Sequence, residues 1–379
     1  MIYGPFPDKN QKLLLYTALK GNIQSEQAWI EWRKNVDFQT DVDWGSYRLL
    51  PLVYHNLKDK FSSDPIFQVL KGIYRKTWSS NHILLHKTEQ LILFMEKLNI
   101  PVMVLKGVPL LQLYYNHVGL RPMSDIDLMV PVDKINDTLQ SLFKEGWKLK
   151  EPQHFDHLMK YGNSIALFLD DDTELDLHWR LFWDIPVAGV EQTFWENAMA
   201  FQMNNTSVLT LCPTDTLFHT LVHGMRANPA PPIRWISDAF TILNHPKIQI
   251  DWNRIYQLTI NYKAGLPMKH SLKYLVKHFK VPIPNGFLNE ISKLKPEFGD
   301  RFIYNQAILY GDLKPVTIAQ KFRHIYSHYL RISRHEGFIA TQLGFIQYLY
   351  QVKPGKGFPG KVVRKISSKL FSEKKYDSD

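Results

Sequence analysis

The sequence predicts an α+β fold, and three observations carry that expectation. Apolar residues recur with helical periodicity through roughly the first hundred of the 379 positions and again after about residue 191. Between these regions lie short β-branched or alternating runs at 102–105, 125–130, 164–169 and 173–178. A polar helical stretch, 133–144, separates the second run from the third, as expected when strands and helices share one core.

In chain order, Leu13, Leu14, Tyr16 and Leu19 fall on one helical face, and the apolar run from Ile66 to Leu98 predicts a long helix. Pro101 breaks it. The strand candidate 102–105 runs into Lys106-Gly107 and a helical pattern through Tyr115. Gly146 is placed to end the polar helix, because a residue without Cβ takes the left-handed cap conformation freely. The last two strand candidates flank Asp170-Asp171-Asp172, whose short side chains suit a tight turn. Helices are expected at 214–223, 234–243, 252–262 and 267–279. The chain thus divides into a helical N-terminal region (1–99), an α+β core (100–190), a helical C-terminal domain (191–352) and a basic Pro/Gly linker and tail (353–379).

Composition narrows the function classes. Hydrophobic residues make up 45% and aromatics 13%, which is globular. A single cysteine, Cys212, excludes an internal disulfide framework and a Cys-cluster metal site. No apolar run reaches the roughly 18 residues of a membrane span. The N-terminus has no apolar signal core, so a cytoplasmic location is expected. The net charge of +10 points to anionic partners without choosing among them.

The strongest chemical signal is Asp125-Ile126-Asp127-Leu128. Side chains alternate along a strand, so Asp125 and Asp127 share one face while Ile126 and Leu128 enter the core. Two such carboxylates repel unless water screens them or a cation lies between them, and a hard divalent ion favours oxygen ligands. Solvated turn carboxylates have the same spacing. A third acid shifts the balance: Leu175-Asp176-Leu177-His178-Trp179 repeats the alternation. If its strand lies antiparallel beside the first, Asp176 joins the pair. Three carboxylates then suffice for two cations in phosphoryl or nucleotidyl transfer.

Upstream, Gly107 lets backbone approach a phosphate, the helix N-terminus offers free N–H donors, and Lys106 adds a charge. A routine strand-to-helix turn with an exposed lysine reads the same way. Arg121, four residues before Asp125, either pairs with that acid or grips a triphosphate.

Together, Val104-Leu-Lys-Gly107, Arg121-Pro-Met-Ser-Asp-Ile-Asp-Leu128 and Glu174-Leu-Asp-Leu-His-Trp-Arg180 resemble the uncharacterised nucleotidyltransferase family of the DNA polymerase β superfamily. Cys212-Pro-Thr-Asp215, His219-x-x-x-His223 and Arg234-Trp-Ile-Ser-Asp238 extend the resemblance to roughly residues 10–290. It implies a polymerase-β-like core, a small mixed sheet with flanking helices, that binds a nucleoside triphosphate and two Mg²⁺ ions, with Mn²⁺ as a substitute. By position, Asp125 and Asp127 would ligate both metals. Asp176 would be the third ligand or the base, and Lys106 and Gly107 would hold phosphates. The implied reaction passes a nucleoside monophosphate to a hydroxyl of a small molecule, protein or RNA and releases pyrophosphate.

One departure concerns the phosphate turn. The superfamily's Gly-Ser or Gly-Gly is replaced here by Lys106-Gly107-Val108, at a longer distance from Asp125, which removes a phosphate-binding hydroxyl. The change favours the alternative of a non-catalytic nucleotide- or RNA-binding protein. The Lys-Gly form also resembles nucleotidyltransferase-like toxins, some similar to enzymes acting on transfer RNA.

Weaker signals remain. His219 and His223 lie one helical turn apart but lack the intervening Glu of a metalloprotease motif; packed histidines are the plainer reading. With His178, Trp235 and Asp238 they are candidates for a second-substrate cleft. The segment 355–361 mimics a phosphate-binding loop, yet Val362 stands where Ser or Thr should hold Mg²⁺. The tail 353–379 carries eight basic and three acidic residues, half the excess of +10. It reads as a solvated tail or as a weak contact to anionic membrane or RNA.

Overall fold

The computed structural model describes residues 3–150, 155, 158–159, 162–169, 173–182, 190–226, 228, 230–309 and the single positions 326, 329, 344 and 345. The acidic turn 170–172, the phosphate-loop mimic and the basic tail lie outside them.

The N-terminal region is helical, as expected: α1 (Lys9–Leu19), α2 (Ile23–Asn35), α3 (Trp44–Tyr47), α4 (Leu50–Leu57) and α5 (Pro65–Lys97). Local chemistry sets the starts. Asp8 caps α1 and closes a capping box with Gln11, and Asp64 caps α5, whose first residue is proline. The 33-residue α5 buries one stripe and, midway, the polar Asn81. That amide donates to the carbonyls of Val118 and Arg121 and accepts from the Met123 N–H, at 2.5, 2.9 and 3.1 Å. It thereby ties the loop before the Asp125 strand to a rigid helix.

The sheet then begins with β1 (Met103–Val104), followed by α6 (Gly107–Tyr114), β2 (Ile126–Met129), a 3₁₀ turn (Val132–Lys134) and α7 (Ile135–Lys144). Gly146 follows α7 at φ +90°, as its role in ending that helix requires. Next come β3 (Lys148–Leu149), β4 (Ser164–Leu169) and β5 (Thr173–His178), then α8 (Val190–Glu196).

Three strands are absent from the sequence expectation: the short β3, and β6 (Met199–Met203) and β7 (Thr206–Thr210), which complete the sheet. β6 and β7 form a hairpin around Asn204-Asn205, with Asn204 in the left-handed region at φ +53° that asparagine tolerates. The sheet runs β3-β4-β5-β2-β1-β7-β6. A second correction concerns pairing. β5 lies beside β2 in parallel, not antiparallel, with Asp127 directly opposite Asp176. The expected adjacency of the acids holds, in the opposite strand sense.

The remaining helices are α9 (Pro213–Gly224), α10 (Arg234–Leu243), α11 (Trp252–Asn261), α12 (Gly265–Phe279), α13 (Phe287–Lys293) and α14 (Phe298–Leu309). The first four match the expected helices to within two residues. One core, including Leu128, Leu142, Leu167 and Leu175, packs on the sheet. A larger one joins the N-terminal helices to α9–α13. Where α9 meets α10, a Cβ on Gly224 would lie 2.2 Å from Cβ of Trp235, so only glycine allows that crossing. No helix among the described residues is long and apolar enough to cross a membrane.

Candidate active site

β2 is buried along its whole length, which carries Asp127 into the protein with 3% of its surface exposed. Ile126 and Leu128 enter the sheet core as alternation demands. Asp125, one residue before the strand, accepts a 3.2 Å hydrogen bond from Ser124 Oγ. Parallel pairing sets Asp176 opposite Asp127, and His178 lies two residues further along β5.

β1 delivers Lys106. The Leu105 N–H donates to the Asp127 carbonyl at 2.9 Å, and the chain then turns sharply into α6. Lys106 makes the turn at φ +49°, ψ −106°, a costly conformation for a residue with a side chain and one that concentrates at functional sites. Its Nζ lies 2.5 Å from Asp127 Oδ1. Gly107 next to it is close-set, since a Cβ there would meet Met123 Sδ at 3.2 Å.

His178 completes the group. Its Nε2 lies 3.1 Å from Asp127 Oδ1 and 3.3 Å from Lys106 Nζ, and its Nδ1 lies 3.4 Å from the Asn163 amide nitrogen. With that amide donating to Nδ1, the imidazole proton sits on Nε2 and is donated to Asp127.

These neighbours push the two opposed carboxylates apart. Burial alone would raise the Asp127 pKa, but the Lys106 charge and the His178 hydrogen bond hold it well below the ordinary carboxylate range. Asp176 is raised, by burial and then by the Asp127 charge. Burial disfavours the Lys106 charge, yet Asp127, then Asp176 and Asp125, outweigh it and raise the lysine pKa. His178 is lowered by burial and by Lys106, so it stays neutral at pH 7. Lys106 is the cation that pairs with Asp127, and Asp176 and Asp125 have no ion-pair partner among the described residues.

A divalent cation fits this donor set. Carboxylate oxygens of Asp127 and Asp176 lie within 4.8 Å of each other and of a His178 ring nitrogen, and Asp125 opens on the same cleft, so the carboxylates are the available donors while His178 is engaged on Asp127. Carboxylate oxygens suit a hard ion such as Mg²⁺, and such an ion would take the place at Asp127 that Lys106 Nζ holds.

The cleft, of about 330 Å³, collects nearly every residue singled out in the sequence: Lys106, Gly107, Arg121, the three acids, and, from α9 and α10, His219, His223, Trp235 and Asp238. The contacts of Arg121 differ from those expected. Arg121 neither pairs with Asp125 nor stands free. Its Nε and Nη2 donate to Asp238 Oδ1 and Oδ2 at 2.8 and 3.0 Å, and Tyr115 OH donates to the same carboxylate at 2.8 Å. This closed, buried fork ties β2's approach to α10.

His219 and His223 pack with tilted rings, 5.3 Å between centres. Burial, with Lys106 and Arg226 acting on both, drives their pKa values well below the ordinary one. Among the described residues no third ligand joins them, which agrees with packed, neutral histidines. His219 Nε2 is buried beside the cleft without a hydrogen-bond partner. Trp235 lines the cleft and anchors its indole N–H on the Pro5 carbonyl at 2.9 Å.

Sequence reasoning missed two cations. Arg48, just after α3, and Arg234, the first residue of α10, both line the cleft. Arg234 donates to the Pro122 carbonyl at 2.7 Å, and burial, with Arg121 nearby, pushes its pKa down to about 9. Burial lowers Arg48 as well, against the pull of Asp125. Arg234 stood inside a quoted motif with no role assigned. Arg48 had no motif around it at all.

No curated protein sequence matches the chain. A solved structure of an antigenic nucleotidyltransferase-like protein from Paracoccidioides brasiliensis is similar at 14% identity, over 55% of this chain and 96% of that one. Its TM-score of 0.33 is too low for fold or function to follow from it. The family model described as "Uncharacterised nucleotidyltransferase" matches residues 46–280, a span that runs from Arg48 through both strand-borne acids to the end of α12, and the chain belongs to that family.

Proposed function

We propose that the cleft transfers a nucleoside monophosphate from a nucleoside triphosphate to a hydroxyl acceptor and releases pyrophosphate. The observation that carries this reading is the register of Asp127 against Asp176 on adjacent parallel strands, with Asp125 opening on the same cleft. Asp125, Asp127 and Asp176 would hold Mg²⁺, or Mn²⁺ in its place. Bound there, the ions would polarise the transferred phosphoryl group and offset charge on the leaving pyrophosphate.

The chain's own groups have separate tasks. Gly107 and the α6 N-terminus offer backbone N–H groups to the phosphates. Arg48 and Arg234 supply phosphate contacts in place of the missing serine hydroxyl and the engaged Arg121. As the acceptor oxygen bonds to the α-phosphorus, the bond from phosphorus to the bridging oxygen of pyrophosphate breaks. The hydroxyl proton passes to Asp176, the carboxylate opposite Asp127. His178 keeps Asp127 ionised and oriented by donating to it.

The test is incorporation of label from an α-labelled triphosphate during incubation with cell extract and Mg²⁺. Turnover is expected from the wild type and is expected to fall at least about 10³-fold in an Asp125→Asn/Asp127→Asn variant. Undiminished turnover in that variant would place the chemistry elsewhere.

One observation favours a second reading, a metal-independent nucleotide binder. Lys106 Nζ already sits on Asp127, where a cation would bind. Calorimetry with a triphosphate in chelator separates the two, because only the binder keeps its affinity.

A further inference from the structure

A second cavity, of about 710 Å³, opens between α12, α13 and α14, apart from the cleft. Its charged lining is wholly basic: Lys269, Lys293, Lys295 and Arg301. His270, whose Nδ1 is hydrogen-bonded to Tyr304 OH, adds a polar wall. The nearby acid Glu297 is held by Lys263 and does not line it.

The basic character continues beyond the cavity. Lysines recur at 269, 273 and 277, every fourth residue, and so form one stripe with steps of about 6 Å along α12. Lys273 and Lys277 are exposed. None of the three is ion-paired among the described residues. Burial lowers the His270 pKa, and Lys269 and Lys273 lower it further; His278 is lowered by burial and then by Lys12, Lys277 and Lys280. Cations here face cations, along α12 and across to α1. A surface of this kind is stabilised by a ligand whose negative charges repeat along a line.

We infer that the cavity and the α12 stripe bind the phosphate backbone of a nucleic-acid strand. A membrane fits less well. Insertion at a lipid surface needs exposed apolar side chains among the lysines, and no large hydrophobic residue among the described positions of α12–α14 is exposed. α12 also packs against α9 and α10, the two helices that wall the cleft, so a strand held on it lies one helix away. On the transferase reading, that strand is the acceptor; its binding does not depend on that reading.

Fluorescence anisotropy tests this with the full chain, no nucleotide, and a labelled single-stranded RNA or DNA of the same sequence, across about 50–200 mM salt. The Lys269→Ala/Lys273→Ala/Lys277→Ala variant should bind at least tenfold more weakly. Its plot of log affinity against log salt should flatten by about 2, since each lost single-strand phosphate contact removes roughly 0.7. The two probes distinguish RNA from DNA as the strand. Should the triple variant not fold, the exposed pair Lys273→Gln/Lys277→Gln should still lose at least about threefold. Wild-type affinity and slope in these variants would overturn the inference. Binding to phosphatidylserine vesicles with neither strand bound would overturn it too. Because no triphosphate is present, either result leaves the transferase reading to its own experiment.

Discussion

Among the described residues, two groups of buried or half-buried acids, one on helices and one at strands, differ in their partners. On the helices, Asp238 and Asp215 are each met by the fork of one arginine. Arg121 gives Asp238 two bonds, and Arg254 Nε and Nη2 reach Asp215 at 2.6 and 2.7 Å. On the strands, Asp127, Asp176 and nearby Asp125 share one lysine and a neutral imidazole. A carboxylate matched by a guanidinium fork ties elements together. Carboxylates short of positive charge are stable only where something else supplies it. Burial alone therefore does not mark the site; the carboxylates left without a guanidinium fork do.

The comparison breaks most visibly at Arg121. Arg121→Ala leaves Asp238 buried without its guanidinium fork, with only the Tyr115 hydroxyl still bonded to it, and stability should fall by about 3–5 kcal/mol in urea unfolding. The pH dependence has a definite sign. Burial would raise the Asp238 pKa, but Arg121 outweighs it and lowers the value below the ordinary one of about 3.9. The pair's contribution is then fully present above about pH 4 and is lost as pH falls through the folded value. The stability gap between wild type and Asp238→Asn should therefore shrink on acidification.

A smaller effect is expected at Arg234, which lines the cleft with a backbone carbonyl as its hydrogen-bond partner. Arg234→Ala should weaken triphosphate binding by about 10–100-fold in calorimetry while leaving the melting temperature near that of the wild type. The smallest change in stability belongs to Asp176→Asn. It removes one of two opposed carboxylates, so unfolding should stay within about 1 kcal/mol of wild type even as turnover is lost. An Asp176→Asn melt as damaged as that of Arg121→Ala would erase the distinction between the two settings.

Much of this arrangement is legible in the sequence, because alternation on a strand is local. Asp125-Ile-Asp-Leu and Leu-Asp-Leu-His show which side chains point together before any neighbour is known. Strand sense is not local. Parallel pairing of β2 with β5 depends on how the intervening segment crosses over, and residue spacing carries no record of it. The same holds for Arg121, whose partner is 117 positions away. The β6–β7 hairpin did leave a trace in Asn204-Asn205 between two runs with alternating burial, but five-residue strands inside a helical stretch are easily read as part of it. Arg48 and Asn81 belong to a region read only for its apolar stripe, which says nothing about the polar residues a helix turns inward.

The claim that the strand-borne acids form a cation site is tested most directly by Mn²⁺ binding, followed by electron paramagnetic resonance of the free ion. The wild type should take up Mn²⁺, and Asp127→Asn/Asp176→Asn should lose at least about tenfold in affinity while remaining folded by circular dichroism. Equal Mn²⁺ uptake by the two proteins would contradict the account.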